Sequence, residues 1–307
     1  MDHGFSVALW NRTEAKVESV IQRAGPSRPL IGTKTLQAFV AALSRPRRIL
    51  VIITAGASVD EMLEEPSPLL SPDDVVIDGG NSFFVDTQRR EEALRTRGVR
   101  FVGMGVSGGE EGARYGPSLM PGGARSAYDH LRTILEAIAA RIESGPYVTY
   151  VGPDGAGHFV KIVHNGIEYG NMQVIAETYD FLRRALGLST EETAKHLSAW
   201  NQGTTASYLI EIADQVLAVA DPDTGRPLVE MILDQAGQKS TGKWTARVLS
   251  SMKSERVAAS ALLTIVTKPR IGGDSPDLLM RVRDALDAAT ICSFAQGMDQ
   301  LRIASAA

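Results

Sequence analysis

The chain has 307 residues, 44% hydrophobic and 22% charged, which is enough to bury two cores. Its net charge of −4 argues against a nucleic-acid or membrane-surface binder. A single cysteine excludes an internal disulfide, and no apolar run reaches membrane-spanning length, so a cytoplasmic location is expected.

Short apolar runs alternate with helical patterns through the first half of the chain. Strands are predicted at 6–9, 49–53, 75–77, 100–102 and 148–151, and helices at 14–23, 35–43, 86–97 and 127–142. Such alternation is typical of a parallel sheet covered on both faces. Beyond about residue 155 only helical patterns follow. We therefore predict an α/β Rossmann-like domain over 1–153 and an all-α domain over 154–307.

The motif Asn11-Arg12-Thr13 follows the first predicted strand. In dinucleotide-binding folds an acidic residue here binds the 2′-hydroxyl of NAD, whereas an arginine accommodates the 2′-phosphate of NADP. Because the motif has Arg12 and no acidic residue, it favours NADP. A surface arginine without a ligand is the alternative.

Two glycine-rich motifs follow later strands, at 78–82 and 105–109. Ligands of open α/β sheets bind at the carboxyl ends of strands, so the Asn81 amide could hold a nicotinamide or a substrate hydroxyl. Successive glycines let backbone N–H groups approach a carboxylate, and Ser107 adds a hydroxyl. A plain turn is the alternative for 78–82. The stretch 116–123 is interpreted as another glycine- and proline-rich loop.

A polar stripe interrupts the apolar helical pattern that follows residue 155. At helical spacing its members fall within an arc of roughly 140°. They are Lys161, His164, Asn165, Glu168 and Tyr169. An amine, an imidazole, an amide, a carboxylate and a phenol on one face can exchange protons with a hydroxylated acid and hold it in place. A solvated polar face is the alternative, but the apolar flanks and the glycines at 157, 166 and 170 favour a site.

The segment 234–245 is polar and glycine-rich and contains two lysines. It lacks the glycine spacing of a phosphate-binding P-loop, and we interpret it as a loop that directs Lys239 toward an anion. The five histidines and one cysteine form no ligand pair at metal-binding spacing, so no metal site is predicted.

Over nearly the whole chain, these motifs resemble the 6-phosphogluconate dehydrogenase family. The resemblance implies NADP-dependent oxidative decarboxylation of 6-phosphogluconate to ribulose 5-phosphate, in the pentose phosphate pathway and gluconate utilization. It also implies a homodimer built mainly through the helical domain. In this family Lys161 matches the general base and Glu168 the general acid.

The remaining roles are likewise carried by the resemblance. Substrate contacts are implied for Asn81, Ser107, Gly108, Gly109, His164, Asn165, Tyr169, Lys239 and Arg247. Cofactor contacts are implied for Asn11, Arg12, Thr13, Thr54, Ala55, Gly56 and Asn81.

Three departures from the family pattern set further expectations. The chain starts after the family's first strand and GxGxxG turn, lacks a helical stretch near 245–247, and stops soon after Gly297. We therefore expect the strand at 6–9 to be displaced or to pair with that at 49–53, and NADP binding to be weak. Two alternatives stay open, a non-catalytic fragment or pseudo-enzyme of this family and a β-hydroxyacid dehydrogenase relative.

Overall fold

The computed structural model describes residues 1–204, 206–232, 254, 258 and 276–306. They form two compact units, one from Met1 to Ile162 and a second that begins at Val163. The first unit mixes strands and helices, and the second contains helices. The predicted order of an α/β unit followed by a helical one is confirmed.

The first unit contains eight short strands and six helices among its described residues. The strands are β1 (Val7–Leu9), β2 (Leu30–Gly32), β3 (Arg48–Val51), β4 (Val75–Asp78), β5 (Arg100–Ser107), β6 (Ser118–Gly123), β7 (Arg141–Ile142) and β8 (Gly145–Pro146). The helices are α1 (Glu14–Ala24), α2 (Leu36–Ala41), α3 (Ala57–Glu64), α4 (Phe84–Arg95), α5 (Gly109–Tyr115) and α6 (Arg125–Ile138). A 3-10 turn follows α3 at Ser67–Leu69.

The strands form three separate sheets. β1 pairs in parallel with β2, and β7 pairs with β8 in a small antiparallel hairpin. The main sheet has the order β3-β4-β5-β6, with β6 antiparallel to its neighbour and the other three strands parallel. Of the two outcomes expected for the strand at 6–9, displacement or pairing with the strand at 49–53, the pairing does not occur, because β1 and β3 lie in different sheets.

The central strand β4 of the main sheet is buried on both faces, as strand alternation predicts, whereas the edge strand β3 exposes one face through Arg48 and Leu50. Val75 and Ile77 of β4 belong to the cluster that includes Leu131 of α6. Val76 points to the opposite face, into the cluster that includes Leu94 of α4. Successive strand side chains point to opposite faces, so β4 contributes to two cores. Its carboxyl end is thereby held rigidly at the edge where ligands bind in such sheets.

Three local predictions were wrong. The stretch 116–123 is not a loop, since β6 occupies Ser118–Gly123 and is largely buried. Its glycines signal a turn in the sequence, but here Gly122 permits backbone contact with the helix residue Gly157. The strand predicted at 148–151 is reduced to one bridge at Val148, and α6 ends at Ile138, before the predicted residue 142. The sequence prediction also missed β2.

The long helix α7 (Ala156–Arg184) begins in the first unit and continues into the second. The second unit adds α8 (Thr190–Trp200), α9 (Tyr208–Ala218), a 3-10 turn (Leu228–Met231) and α10 (Pro276–Ala304). Ser189 caps α8 in a reciprocal capping box with Glu192. The core of this unit includes Leu182, Leu197 and Leu286. In the described part of the chain, no helix combines the length and hydrophobicity needed to cross a membrane.

Candidate functional site

The first turn of α7 packs directly on the backbone of the main sheet. A Cβ atom added to Gly157 would lie 2.0 Å from the carbonyl oxygen of Gly103 and 2.5 Å from that of Met120. No side chain fits there, so only glycine allows this approach. The glycine that weakens helix propensity at this position is therefore required by packing. It sets the height of α7 above β5 and β6.

One turn later, Lys161 lies against β5. A Cβ atom added to Gly105 would lie 2.6 Å from Cβ of Lys161. Lys161 is buried, with 7% of its surface exposed. Gly105 precedes Ser107, the last residue of β5, by two positions. Since residues two apart on a strand share a face, the Lys161 stem lies on the face of β5 that bears Ser107.

The other members of the polar stripe follow on the same uninterrupted helix. Nδ1 of His164 lies 3.3 Å from Oδ1 of Asn165 and 3.9 Å from Oε2 of Glu168. The side chains of His164 and Glu168 are about one-third exposed, at 35% and 40%. Tyr169 is also exposed. The imidazole, amide and carboxylate therefore form one cluster that remains open to a ligand.

The glycines after Ser107 adopt backbone conformations that other residues rarely reach. Gly108 has φ +127° and Gly109 has φ +62°. A Cβ atom on Gly108 would lie 2.8 Å from Cα of Gly112 in α5. Gly109 is the first residue of α5 and Ser107 the last of β5, so this turn joins a strand end directly to a helix start. Such a turn directs backbone N–H groups outward, where an anion can accept them.

The turn after β4 is built around the carboxylate of Asp78. Its Oδ1 accepts the backbone N–H of Gly80 at 3.0 Å, and its Oδ2 accepts the hydroxyl of Ser82 at 2.6 Å. Asp78 and Ser82 are buried, whereas Asn81 between the two bonded residues is exposed. The buried carboxylate thus fixes the backbone on both sides of Asn81 and leaves its amide facing outward.

The turn after β3 lies next to the turn after β4, at the same edge of the main sheet. Thr54 is exposed, and Gly56 caps α3 with φ +99°. No atom lies within 4 Å of a Cβ added to Gly56. β3, β4 and β5 are parallel neighbours, so the structure brings the turns at 54–56, 78–82 and 107–109 to one edge.

A buried arginine on α4 contacts two of these turns, and the sequence analysis missed it. Arg90 donates to the carbonyl oxygen of Gly56 at 2.9 Å and to Oγ of Ser82 at 3.3 Å. It also forms two hydrogen bonds with Asp60, at 2.8 and 3.2 Å. The guanidinium hydrogen bonds lower the pKa of the Asp60 carboxyl. The sequence Arg89-Arg90 does not itself show which arginine is buried. The indication is that Arg90 lies on the apolar face of α4.

His158 was also missed. It is fully buried at the start of α7, and its Nδ1 lies 2.7 Å from Oγ1 of Thr87. Burial lowers the pKa of His158, and the nearby Asp78 carboxylate opposes that shift. The ring is therefore neutral, and it packs behind the turn that carries Asn81. In the sequence, the burial of His158 is indicated by its position three residues before Lys161, on the buried side of α7.

The predicted 2′-phosphate motif follows β1. Oδ1 of Asn11 accepts the backbone N–H of Thr13 at 2.8 Å and shapes the turn before α1. Arg12 forms ion pairs with Glu65 at 2.9 Å and Glu61 at 3.4 Å, with half of its side chain exposed. Exposed pairs of this kind contribute only about 0–1 kcal/mol, so they leave Arg12 able to exchange partners.

Two predicted substrate residues, Lys239 and Arg247, lie outside the described residues. Within the described ranges, no group of three or more His, Cys, Asp or Glu side chains is arranged to hold a metal ion.

Family models match the chain from end to end. The NAD binding domain of 6-phosphogluconate dehydrogenase matches residues 1–152. The C-terminal domain of the same enzyme matches 157–247 and 245–307, in two segments that meet near the break expected from the sequence.

Curated relatives agree with these models. The NADP(+)-dependent, decarboxylating 6-phosphogluconate dehydrogenase of Bacillus subtilis is 46% identical over 98% of this chain and 68% of its own length. The decarboxylating 6-phosphogluconate dehydrogenase of Synechococcus elongatus is 49% identical over 99% of this chain and 69% of its own length. The Bacillus alignment spans 321 positions, more than the chain's 307 residues, so that relative has residues that this chain lacks.

Solved structures give the same result. The Plasmodium falciparum 6-phosphogluconate dehydrogenase, described in its apo form and in complex with NADP+ and with 6-phosphogluconate, matches 99% of this chain and 70% of its own with a TM-score of 0.90 and 37% identity. A 3-hydroxyisobutyrate dehydrogenase from Salmonella typhimurium is 17% identical with a TM-score of 0.58, a likeness of fold alone. The chain belongs to the 6-phosphogluconate dehydrogenase family.

Proposed function

We propose that this chain catalyses the NADP+-dependent oxidative decarboxylation of 6-phosphogluconate to ribulose 5-phosphate. The observation that carries the proposal is the placement of Lys161. Its stem is buried on β5 beside Gly105, two residues from Ser107, and the rest of the polar stripe follows on the same helix. An amine in such a position can act on a substrate whose carboxylate is held by the Ser107 turn.

In the first step, Lys161 accepts the proton of the C3 hydroxyl while C3 loses a hydride. When bound, NADP+ accepts that hydride. The substrate becomes a 3-keto acid, whose ketone is β to the carboxylate and can receive the electron pair released by C–C cleavage. Loss of CO₂, with return of the proton from Lys161 to the C3 oxygen, then leaves an enediol. We assign Lys161 as the general base because its partly buried stem holds the amine in a defined position.

In the last step, Glu168 donates a proton to C1 of the enediol, the former C2 of 6-phosphogluconate, while the neighbouring hydroxyl returns its proton to Lys161, and ribulose 5-phosphate forms. His164 lies 3.9 Å from the Glu168 carboxylate and 3.3 Å from the Asn165 amide oxygen. We propose that His164 and Asn165 bind the substrate hydroxyls and orient C1 of the enediol toward Glu168. An acid and a base on one helix face can act in turn without moving the backbone.

We propose that the substrate is anchored at both of its ends, the C1 carboxylate and the phosphate. Ser107, Gly108 and Gly109 would hold the C1 carboxylate through a hydroxyl and backbone N–H groups, a cradle that the positive φ angles of the glycines support. Tyr169, together with Lys239 and Arg247, would hold the phosphate. Two cations and a phenol suit a phosphate dianion.

The residues at the sheet edge fit a dinucleotide. Thr54 and Asn81 are exposed at the ends of adjacent parallel strands, with open space beside Gly56. Asn81 would hold the nicotinamide or the reacting hydroxyl, and Ala55 would line the same edge. Arg12, within the Asn11–Thr13 motif, would pair with the 2′-phosphate.

We also propose a homodimer formed through the helical unit. Ile291, Phe294 and Met298 are exposed on α10 at helical spacing, and together they form an apolar stripe. An exposed stripe of this kind is typical of a subunit interface. Phe294→Asp should convert the protein to a monomer in light-scattering measurements, whereas Asp299→Lys, on the same helix, should not. Equal masses for Phe294→Asp and the wild type would contradict this interface.

Activity is tested by following NADPH formation with 6-phosphogluconate as substrate. We expect turnover that saturates with 6-phosphogluconate but, because NADP binding is expected to be weak, requires a high NADP+ concentration, and no turnover with 3-hydroxyisobutyrate. Turnover only with the unphosphorylated acid would favour the β-hydroxyacid dehydrogenase alternative. Binding of 6-phosphogluconate without any turnover would favour the non-catalytic alternative.

A further inference from the structure

Two turns at the sheet edge are joined by one buried side chain. The turn at 54–56 follows β3, and the turn at 78–82 follows β4. Arg90, with 2% of its surface exposed, donates to the carbonyl oxygen of Gly56 in one turn and to the hydroxyl of Ser82 in the other. The Arg90 guanidinium also donates two hydrogen bonds to the carboxylate of Asp60 in α3.

The connection continues from Arg90 to the residues beside Asn81. Oγ of Ser82 accepts a hydrogen bond from the Arg90 guanidinium and donates one to Oδ2 of Asp78 at 2.6 Å. Oδ1 of the same carboxylate accepts the N–H of Gly80 at 3.0 Å. Asn81 therefore lies between two residues that are bonded to one carboxylate, and that carboxylate is linked to Arg90.

The burial of this network makes it costly to disturb. Asp78 and Arg90 are 1% and 2% exposed, and Nη1 of Arg90 lies 3.6 Å from Oδ2 of Asp78. Removing one partner of a buried pair leaves the other charge uncompensated, so the remaining groups must rearrange. A planar guanidinium can donate in several fixed directions at once, whereas a lysine ammonium cannot span the same partners.

We propose that Arg90 is a positioning residue that holds the turns at 54–56 and 78–82 at a fixed separation, so that Thr54 and Asn81 meet one cofactor together. The cofactor part of this inference rests on the proposed function. The mechanical part, that one side chain couples two turns, does not. Arg90 contacts the Gly56 carbonyl and the Ser82 hydroxyl, and both contacts lie behind the sheet edge that would bind the cofactor. Neither contact therefore involves an exposed residue.

The test compares Arg90→Gln with Arg89→Gln. Arg89 also binds Asp60, at 2.9 Å, but it is exposed and contacts neither turn. Both variants lose the same charge from the same helix. Amide hydrogen exchange is measured on peptides covering 54–60 and 78–83, together with the affinities for NADP+ and for 6-phosphogluconate.

Arg90→Gln should raise exchange in both peptides together by about tenfold or more, and Arg89→Gln should leave both near the wild-type rate. NADP+ affinity should fall by about tenfold or more with Arg90→Gln, while affinity for 6-phosphogluconate should change by less than about threefold. Arg90→Lys should recover thermal stability but not the protection of the turns. Equal exchange in the two glutamine variants, or full recovery by Arg90→Lys, would overturn the proposal.

Ser82→Ala provides a milder variant in case Arg90→Gln does not fold. It removes the hydroxyl that bonds to both Arg90 and Asp78 and leaves the Arg90–Gly56 bond intact, so exchange should rise in 78–83 and stay unchanged in 54–60. A rise in both peptides, or in neither, would contradict the coupling through Arg90. If the wild type shows no turnover, the proposed function fails, and the exchange data still decide whether Arg90 couples the turns.

Discussion

Gly105 of β5 and Lys161 of α7 approach so closely that a Cβ atom on the glycine would lie 2.6 Å from Cβ of the lysine. The backbones of β5 and α7 therefore pack closely against each other at the position of the proposed general base. Any side chain at position 105 must push Lys161 away from the strand that ends in Ser107.

Gly105→Ala should accordingly lower both stability and turnover. Overpacking of this kind costs about 1–3 kcal/mol, and a displaced amine should lower kcat more than it raises KM. Thermal unfolding and steady-state kinetics measure the two effects. Gly112→Ala is the matched control, because its added Cβ would meet only the Ser107 carbonyl oxygen at an ordinary 3.6 Å. Equal behaviour of the two variants would show that the close approach has no consequence.

Lys161→Met should abolish turnover while leaving 6-phosphogluconate binding partly intact. The amine acts on a proton, whereas the Ser107 turn and the proposed phosphate ligands hold the two ends of the substrate. Loss of a general base lowers kcat by roughly 10²–10⁴-fold. Calorimetry with 6-phosphogluconate and an NADPH assay separate the two properties. A Lys161→Met protein with wild-type kcat would remove the amine from the mechanism.

Freeing Arg12 from its carboxylate partners should strengthen NADP+ binding. Glu65→Gln removes the ion pair at 2.9 Å, so Arg12 can turn to a 2′-phosphate. Because the pair is exposed, the gain should be only about twofold to fivefold and should shrink as salt is added. Fluorescence titration measures it, with Glu64→Gln as the control for lost charge. NAD+ has no 2′-phosphate, so an equal gain in NAD+ affinity would contradict the role of Arg12.

His158 should make stability depend on pH. Burial lowers its pKa below the usual 6.5, so the folded state favours the neutral ring and the unfolded state binds more protons. The stabilising contribution is complete above about pH 6.5 and is lost as pH falls below it, by up to about 1.4 kcal/mol per pH unit. Urea unfolding at pH 7.5 and 5.5 should show a smaller decrease for His158→Gln than for the wild type. The exposed His3→Gln variant should keep the wild-type decrease, and parallel curves for all three would refute the assignment.

The sequence predicted the elements with strong periodicity. α7 runs without a break through all five stripe positions, since apolar flanks surround its polar members. β4 was found from its run Val75-Val76-Ile77, whereas β5 was predicted only over 100–102 and continues to Ser107, because Gly103 and Gly105 lower strand propensity. β6 was missed because Pro121, Gly122 and Gly123 signal a turn, whereas Gly122 allows α7 to approach at Gly157 and Gly123 lies against the backbone of Phe101 in β5. The helix approach depends on tertiary structure, which local propensity does not encode.

The candidate site was predicted in part for a similar reason. Exposed ligand-type residues such as Asn81 occur in recognisable glycine-rich turns. The buried residues Arg90 and His158 have no short motif, because partners such as Gly56 and Thr87 are far away along the chain, whereas Asp78 belongs to the 78–82 motif and bonds to Gly80 and Ser82 within it. Thr87 is 71 positions from His158 in the sequence and 2.7 Å from it in the structure. Pairings of this range become visible only when the fold is known.

The most direct test of the proposed reaction is its stoichiometry. 6-Phosphogluconate labelled with carbon-13 at C1 is incubated with NADP+ and the protein, and labelled CO₂ is counted against NADPH. Since one hydride and one carboxylate leave each substrate molecule, the account predicts equal amounts, with both products lost in Lys161→Met. NADPH without labelled CO₂, or both products at wild-type rate in the Lys161→Met variant, would contradict it.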